Sequence, residues 1–117
     1  FYPSKINLAM LYNARKENEK AEQLFLEVIR DHPEHTDTYY SLGLLLAEMR
    51  RYNEAVDMLE KAGEMMPKRA RIFYNLGMLY DFLGEKEKAV KALEKALEIE
   101  PGNEVYRKAL DGFDNGV

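Results

Sequence analysis

The chain has 117 residues, of which 46% are apolar and 32% charged, and its formal net charge is −4 at pH 7. That length suits a single domain, and the slight acidic excess argues against general binding to nucleic acid or to an anionic membrane. Cysteine is absent, which excludes disulfide frameworks, thiolate zinc sites and cysteine nucleophiles.

The chain opens on Phe1-Tyr2-Pro3, with neither an initiator methionine nor a signal-peptide pattern, so a segment of a longer or processed protein is expected. No apolar run approaches the roughly 20 residues that span a bilayer. The compartment is left open, with a lean toward the cytoplasm.

Apolar periodicity and its punctuation predict helices over 3–14, 18–31, 36–49, 53–65, 70–83, 86–99 and 104–114. The first pair carries Leu8, Ala9 and Tyr12, then Ala21, Phe25 and Val28, and runs to Pro33. The second carries Tyr39, Leu42, Gly43 and Leu46, then Ala55, Leu59 and Ala62, and runs to Pro67. The third repeats this with Phe73, Leu76, Gly77 and Tyr80, then Ala89, Leu93 and Ala96, up to Pro101, each 34 residues later. Each set lies on one face of a 3.6-residue helix. Ala9, Gly43 and Gly77 are expected opposite Ala21, Ala55 and Ala89, where small residues let paired helices approach closely. The prolines stop each second helix, because proline cannot continue the hydrogen-bond ladder. Between paired helices the turn favours a positive φ. Only Gly84 supplies the suited residue, and Lys16 and Arg50 should cost about 1 kcal/mol each there. Gly63 should weaken the last turn of the fourth helix.

The stretch from Ala70 to Asn103, with Phe73-Tyr74-Asn75-Leu76-Gly77, Tyr80, Gly84, Ala89 and Pro101, resembles a tetratricopeptide repeat almost throughout. Residues Thr36 to Arg69 match nearly as well, and the first unit more loosely; the resemblance covers Tyr2 to about Asn103. It implies an all-α fold, a right-handed α-α superhelix (solenoid) in one domain, 1–117. Three TPR helix-turn-helix units at about 2–35, 36–69 and 70–103 would be followed by a C-terminal capping helix near 104–114.

Interior repeats need a third apolar face toward the preceding neighbour. In the third unit it reads Ile72, Leu79 and Leu83, and in the second Thr38, Leu45 and Met49. In the first it reads Ser4, Leu11 and Arg15, with Lys5 in the aromatic position, so the first unit resembles an N-terminal end. On the seventh helix Tyr106, Leu110 and Phe113 would point back, leaving Arg107, Asp111 and Asp114 outward, with residues 114–117 frayed. A truncated fourth repeat is the alternative.

In this family the concave surface usually holds an extended peptide or a partner helix. The positions matching that surface are Ile6, Asn7 and Met10 on the first helix, with Asn13 beyond them. The third helix supplies Tyr40, Ser41 and Leu44, flanked by Asp37 and Glu48. The fifth supplies Arg71, Tyr74, Asn75, Met78 and Phe82, with Asp81. Val105, Lys108 and Ala109 of the last helix would border them. Three rows recur at the repeat spacing: Ile6-Tyr40-Tyr74, Met10-Leu44-Met78 and Asn7-Ser41-Asn75. Apolar side chains off the core face suggest a binding surface for a protein or peptide with apolar side chains. The tyrosines could instead prop neighbouring helices, and the methionines could pack between repeats. A second reading is a homo-oligomeric scaffold, in which Phe113, Val117, Phe1 or Tyr2 inserts into a neighbour's groove.

The carboxylate clamp of chaperone-binding members would need lysine, asparagine and arginine where this chain has Ile6, Met10, Ser41, Arg71 and Asn75. Only Arg71 has the right charge. His32 and His35 flank Pro33 near Asp31 and Glu34, but two such imidazoles fit a solvated loop better than a metal site. Lys68, Arg69 and Arg71, and the pair Arg50-Arg51, lack the interleaved aromatics that nucleic acid would require, so solvated loops are expected, apart from Arg71 at the groove edge. Glu87 and Lys91 form an i,i+4 pair of an exposed helix. No catalytic residues, metal ligands or cofactor are assigned, and no enzyme activity is expected.

Overall fold

Among the described residues, three with positive φ set the turns inside the helix pairs: Lys16 at 65°, Arg50 at 63° and Gly84 at 81°. At each, the following amide reaches back over a full turn. Glu17 N donates to the Tyr12 carbonyl at 2.8 Å, Arg51 N to Leu46 at 2.9 Å and Glu85 N to Tyr80 at 2.9 Å. Lys16 N, Arg50 N and Gly84 N each donate at 3.0 Å to the carbonyls of Asn13, Ala47 and Asp81. This double closure is a Schellman motif, which satisfies helix-end carbonyls at the cost of one left-handed residue. Lys16 and Arg50 therefore do adopt the conformation that the repeat register demands of glycine.

The computed structural model describes residues 2–115, with side chains as far as Phe113. Its helices are α1 (Tyr2–Ala14), α2 (Asn18–Asp31), α3 (Thr36–Glu48), α4 (Tyr52–Met65), α5 (Ala70–Phe82), α6 (Lys86–Ile99) and α7 (Glu104–Asn115). Each boundary lies within one residue of the predicted one. Among the described residues, no helix is long and apolar enough to cross a membrane.

The chain forms two compact units, Phe1–Ala62 and Gly63–Val117. In the first, α1 packs on α2 and α2 on α3. Ala9, Ala21, Phe25 and Val28 are buried together with Tyr39, Leu42, Leu45, Leu46, Ala55 and Leu59. The α3–α4 approach depends on Gly43: a Cβ there would lie 2.8 Å from Leu59 Cγ and 3.4 Å from the Ala55 carbonyl oxygen. The Tyr39 hydroxyl donates to the Pro33 carbonyl at 2.8 Å, which ties the inter-repeat loop to the second repeat.

In the second unit α5 packs on α6 and α6 on α7. Gly77 repeats the close approach: a Cβ there would lie 2.9 Å from Leu93 Cγ and 3.3 Å from the Ala89 carbonyl oxygen. Gly63 does not break α4, which continues to Met65. Its hydrogen instead faces the Phe73 ring, which would lie 3.3 Å from a Cβ. Asn103 starts α7: its Oδ1 accepts from Tyr106 N at 3.1 Å, a side-chain N-cap. Tyr106 is buried with Ala70, Ala96 and Leu97, and Leu110 packs on the same cluster. Arg107 and Asp111 face solvent, while Asp114 lies outside the described side chains.

One core expectation differs. Leu8 is exposed, although its equivalents Leu42 and Leu76 are buried. The aromatic found one turn earlier in the other repeats, Tyr39 or Phe73, is Lys5 here. Its ammonium reaches Glu27 at 3.2 Å instead of covering the leucine.

Candidate functional site

On α1, Ile6 is half-buried and Asn7 exposed, and Met10 stands 56% exposed. On α3, Tyr40 and Ser41 are half-buried and Leu44 is 36% exposed. These six residues belong to the first unit. None of them is in its core, as a face turned away from the packed interior requires.

The second unit carries the remainder on α5. Arg71, Tyr74, Asn75, Met78 and Phe82 recur at spacings of three and four, so they share one face of the helix. Arg71 is exposed, Tyr74, Asn75 and Met78 are half-buried, and Phe82 is 67% exposed. The Tyr74 ring stacks on Tyr106, with centroids 5.0 Å apart. α7 thus borders this face, and it leaves Val105 and Lys108 exposed and Ala109 half-buried. Tyr74 both docks α7 and offers its remaining edge to solvent.

Arg71 also lines a depression of about 540 Å³ with Met66, Pro67, Lys68, Arg69, Ala70 and Glu100. The basic cluster at the start of α5 is therefore edged by a carboxylate.

Two loops expected to be merely solvated are tied down. Arg51 forks onto Glu54, with bonds of 3.0 and 2.6 Å, and its other terminal nitrogen reaches Glu22 at 2.7 Å. These bonds, that to Glu54 first, push the guanidinium further above its ordinary value. Hydrogen bonding from Arg51 holds the Glu54 carboxyl below its usual range. Nothing in local sequence signals the link to Glu22, because it joins α2 to the turn before α4. In the other loop, the Tyr2 ring lies 4.2 Å from that of His32 and 5.2 Å from that of His35. His35 Nδ1 and the buried Thr38 hydroxyl are 2.7 Å apart. The two histidines pack the α2–α3 loop against Tyr2, and no group of three metal-ligating side chains occurs among the described residues.

Sequence reasoning also passed over Leu26. It is exposed on α2 and, with Gln23 and Met49, lines a depression whose other walls are the carboxylates Glu19, Glu22 and Glu27 and the guanidiniums Arg30 and Arg51. Alignment of the repeats carries the signal, since Glu60 and Glu94 occupy the equivalent positions.

A family model described as tetratricopeptide repeat matches residues 36–68 and 70–103, and a second of the same description matches residues 4–34. The chain belongs to the tetratricopeptide repeat family. Solved structures with a similar fold include a crystal structure of MamA, 24% identical over 98% of this chain and 67% of that one, TM-score 0.91. Another is MamA 41-end from Desulfovibrio magneticus RS-1, 24% identical over 98% and 65% of the two chains, TM-score 0.88. A third, from a CopN-Scc3 complex, is 19% identical over 97% and 67%, TM-score 0.84. The chain spans about two thirds of the length of these relatives. The tetratricopeptide repeat is typically a non-catalytic protein-interaction module, and the all-α helical repeat expected from the sequence is the one observed.

Proposed function

We propose that this tetratricopeptide repeat chain binds an extended or helical peptide of a partner protein on the outer faces of its first helices. The observation that carries the reading is the exposure of Met10, Leu44 and Phe82, large apolar side chains on faces that the helix pairs do not use. Covering what each still exposes would contribute a fraction of the roughly 1.5–3 kcal/mol that full burial of such a side chain contributes, least for Leu44. Tyr40, Tyr74 and Met78 add area that adapts to an irregular ligand. Asn7, Ser41 and Asn75 carry donors and acceptors suited to a peptide backbone. That one structural neighbour comes from a complex, CopN-Scc3, fits a protein ligand.

The test is a peptide array against the chain, followed by calorimetry of the best binder with Met10→Ala, Met78→Ala and Phe82→Ala. A loss of tenfold or more with an unchanged urea midpoint supports peptide binding. Unchanged affinity in all three contradicts it. Light scattering separates the competing scaffold, which would form an oligomer that grows with concentration and dissociates when the tail around Phe113 is removed. Of the other proposed inserts, Tyr2 packs on His32 and His35 of its own chain, and Phe1 and Val117 lie outside the described residues.

A further inference from the structure

Ser4, Leu8, Leu11 and Arg15 form one stripe along α1, turned roughly half a revolution from Ile6 and Met10. One repeat later the same stripe on α3 reads Thr38, Leu42, Leu45 and Met49. α3 packs against α2, and Thr38, Leu42 and Leu45 are there 1%, 2% and 0% exposed. Leu8 and Leu11 are 41% and 46% exposed. The stripe that accepts a helix in the second repeat is thus uncovered in the first, with Leu8 and Leu11 as its apolar centre between Ser4 and Arg15.

Charge says what kind of helix would fit. Residues 2–16 contain Lys5, Arg15 and Lys16 and no carboxylate, in a chain whose net charge is −4. Lys5 is engaged by Glu27, while Arg15 and Lys16 stand exposed at the end of the stripe. A complementary surface has leucine-like side chains flanked by acids. A second copy presenting its own α1 would set basic residues against basic ones. An anionic bilayer would meet a chain that is acidic overall.

We propose that the Leu8–Leu11 stripe of α1 is a docking surface for an acidic amphipathic helix of a partner protein, seated as α2 is on α3. This surface is separate from the outer helix faces that carry Met10, Leu44 and Phe82, and its failure leaves that reading untouched.

The probe is a capped peptide with the sequence of α2, Asn18–Asp31, whose 14 residues include Glu19, Glu22, Glu27 and Asp31. Titration into isotope-labelled chain should shift the amides of Leu8, Leu11 and Arg15. Leu11→Glu and Arg15→Glu should each weaken binding at least tenfold, and added salt should weaken it further, with urea midpoints unchanged because both side chains are exposed. Four results would overturn the proposal. The first two are no shifts on α1 and affinity unaffected by Leu11→Glu. The third is a concentration-dependent dimer that Leu11→Glu abolishes. The fourth is capture by phosphatidylserine vesicles that the peptide does not displace.

Discussion

The ring of Tyr74 lies nearly parallel to that of Tyr106, tilted by 29° at 5.0 Å, and this stack joins the outer face of α5 to the last helix. Tyr74 therefore supports structure as well as facing solvent. Tyr106→Ala removes a buried ring from the cluster with Ala70, Ala96 and Leu97 and should cost about 3 kcal/mol, with early loss of hydrogen-exchange protection in α7. Tyr74→Ala should cost about 1 kcal/mol, and Tyr74→Phe should restore it. Tyr74 is thus not a side chain that can be truncated without cost to the fold.

The turn residues make a second prediction. Lys16 and Arg50 hold φ of 65° and 63°, a conformation that glycine adopts without a Cβ clash. Lys16→Gly and Arg50→Gly should each raise stability by about 1 kcal/mol in urea unfolding, against the usual cost of glycine. Gly84→Ala should lower it by about the same amount, although nothing lies within 4 Å of the added methyl.

Gly43→Ala and Gly77→Ala test the opposite situation. Helix propensity alone would favour alanine by about 1 kcal/mol. The added methyl would sit 2.8 Å from Leu59 Cγ in one case and 2.9 Å from Leu93 Cγ in the other, with backbone oxygens close behind. Overpacking should win, and each variant should lose about 1–3 kcal/mol in urea unfolding.

Acid titration examines the Arg51 fork. Glu54 has its folded pKa lowered below the ordinary 4.5, first by the hydrogen bond from Arg51. A lowered carboxylate contributes stability that is complete above its unfolded pKa and is lost as pH falls through the folded one. Glu54→Gln should therefore be less stable than the parent at neutral pH. The two stability curves should converge in acid.

The framework was legible because proline and small-residue punctuation recurs every 34 residues, and that period fixes which helices pair and where they stop. Pro33, Gly43 and Ala55 each predict a local event that the backbone then performs. Arg51 was not legible, since its carboxylate partner Glu22 is 29 positions away on another helix. Leu8 misled for the converse reason: its register is that of a core residue, but burial depends on Lys5 and on what lies over α1. The candidate peptide face was readable as a set of positions facing away from each core. The support that Tyr74 gives to α7 was not, because a ring stack leaves no trace in periodicity.

The most direct test of the account is the calorimetric affinity of an array-selected peptide for the chain and for the Met78→Ala/Phe82→Ala double variant. The account predicts at least a tenfold weaker complex in the variant, with its urea midpoint near that of the parent. Equal affinity for both proteins would contradict the assignment of these outer helix faces as the binding surface.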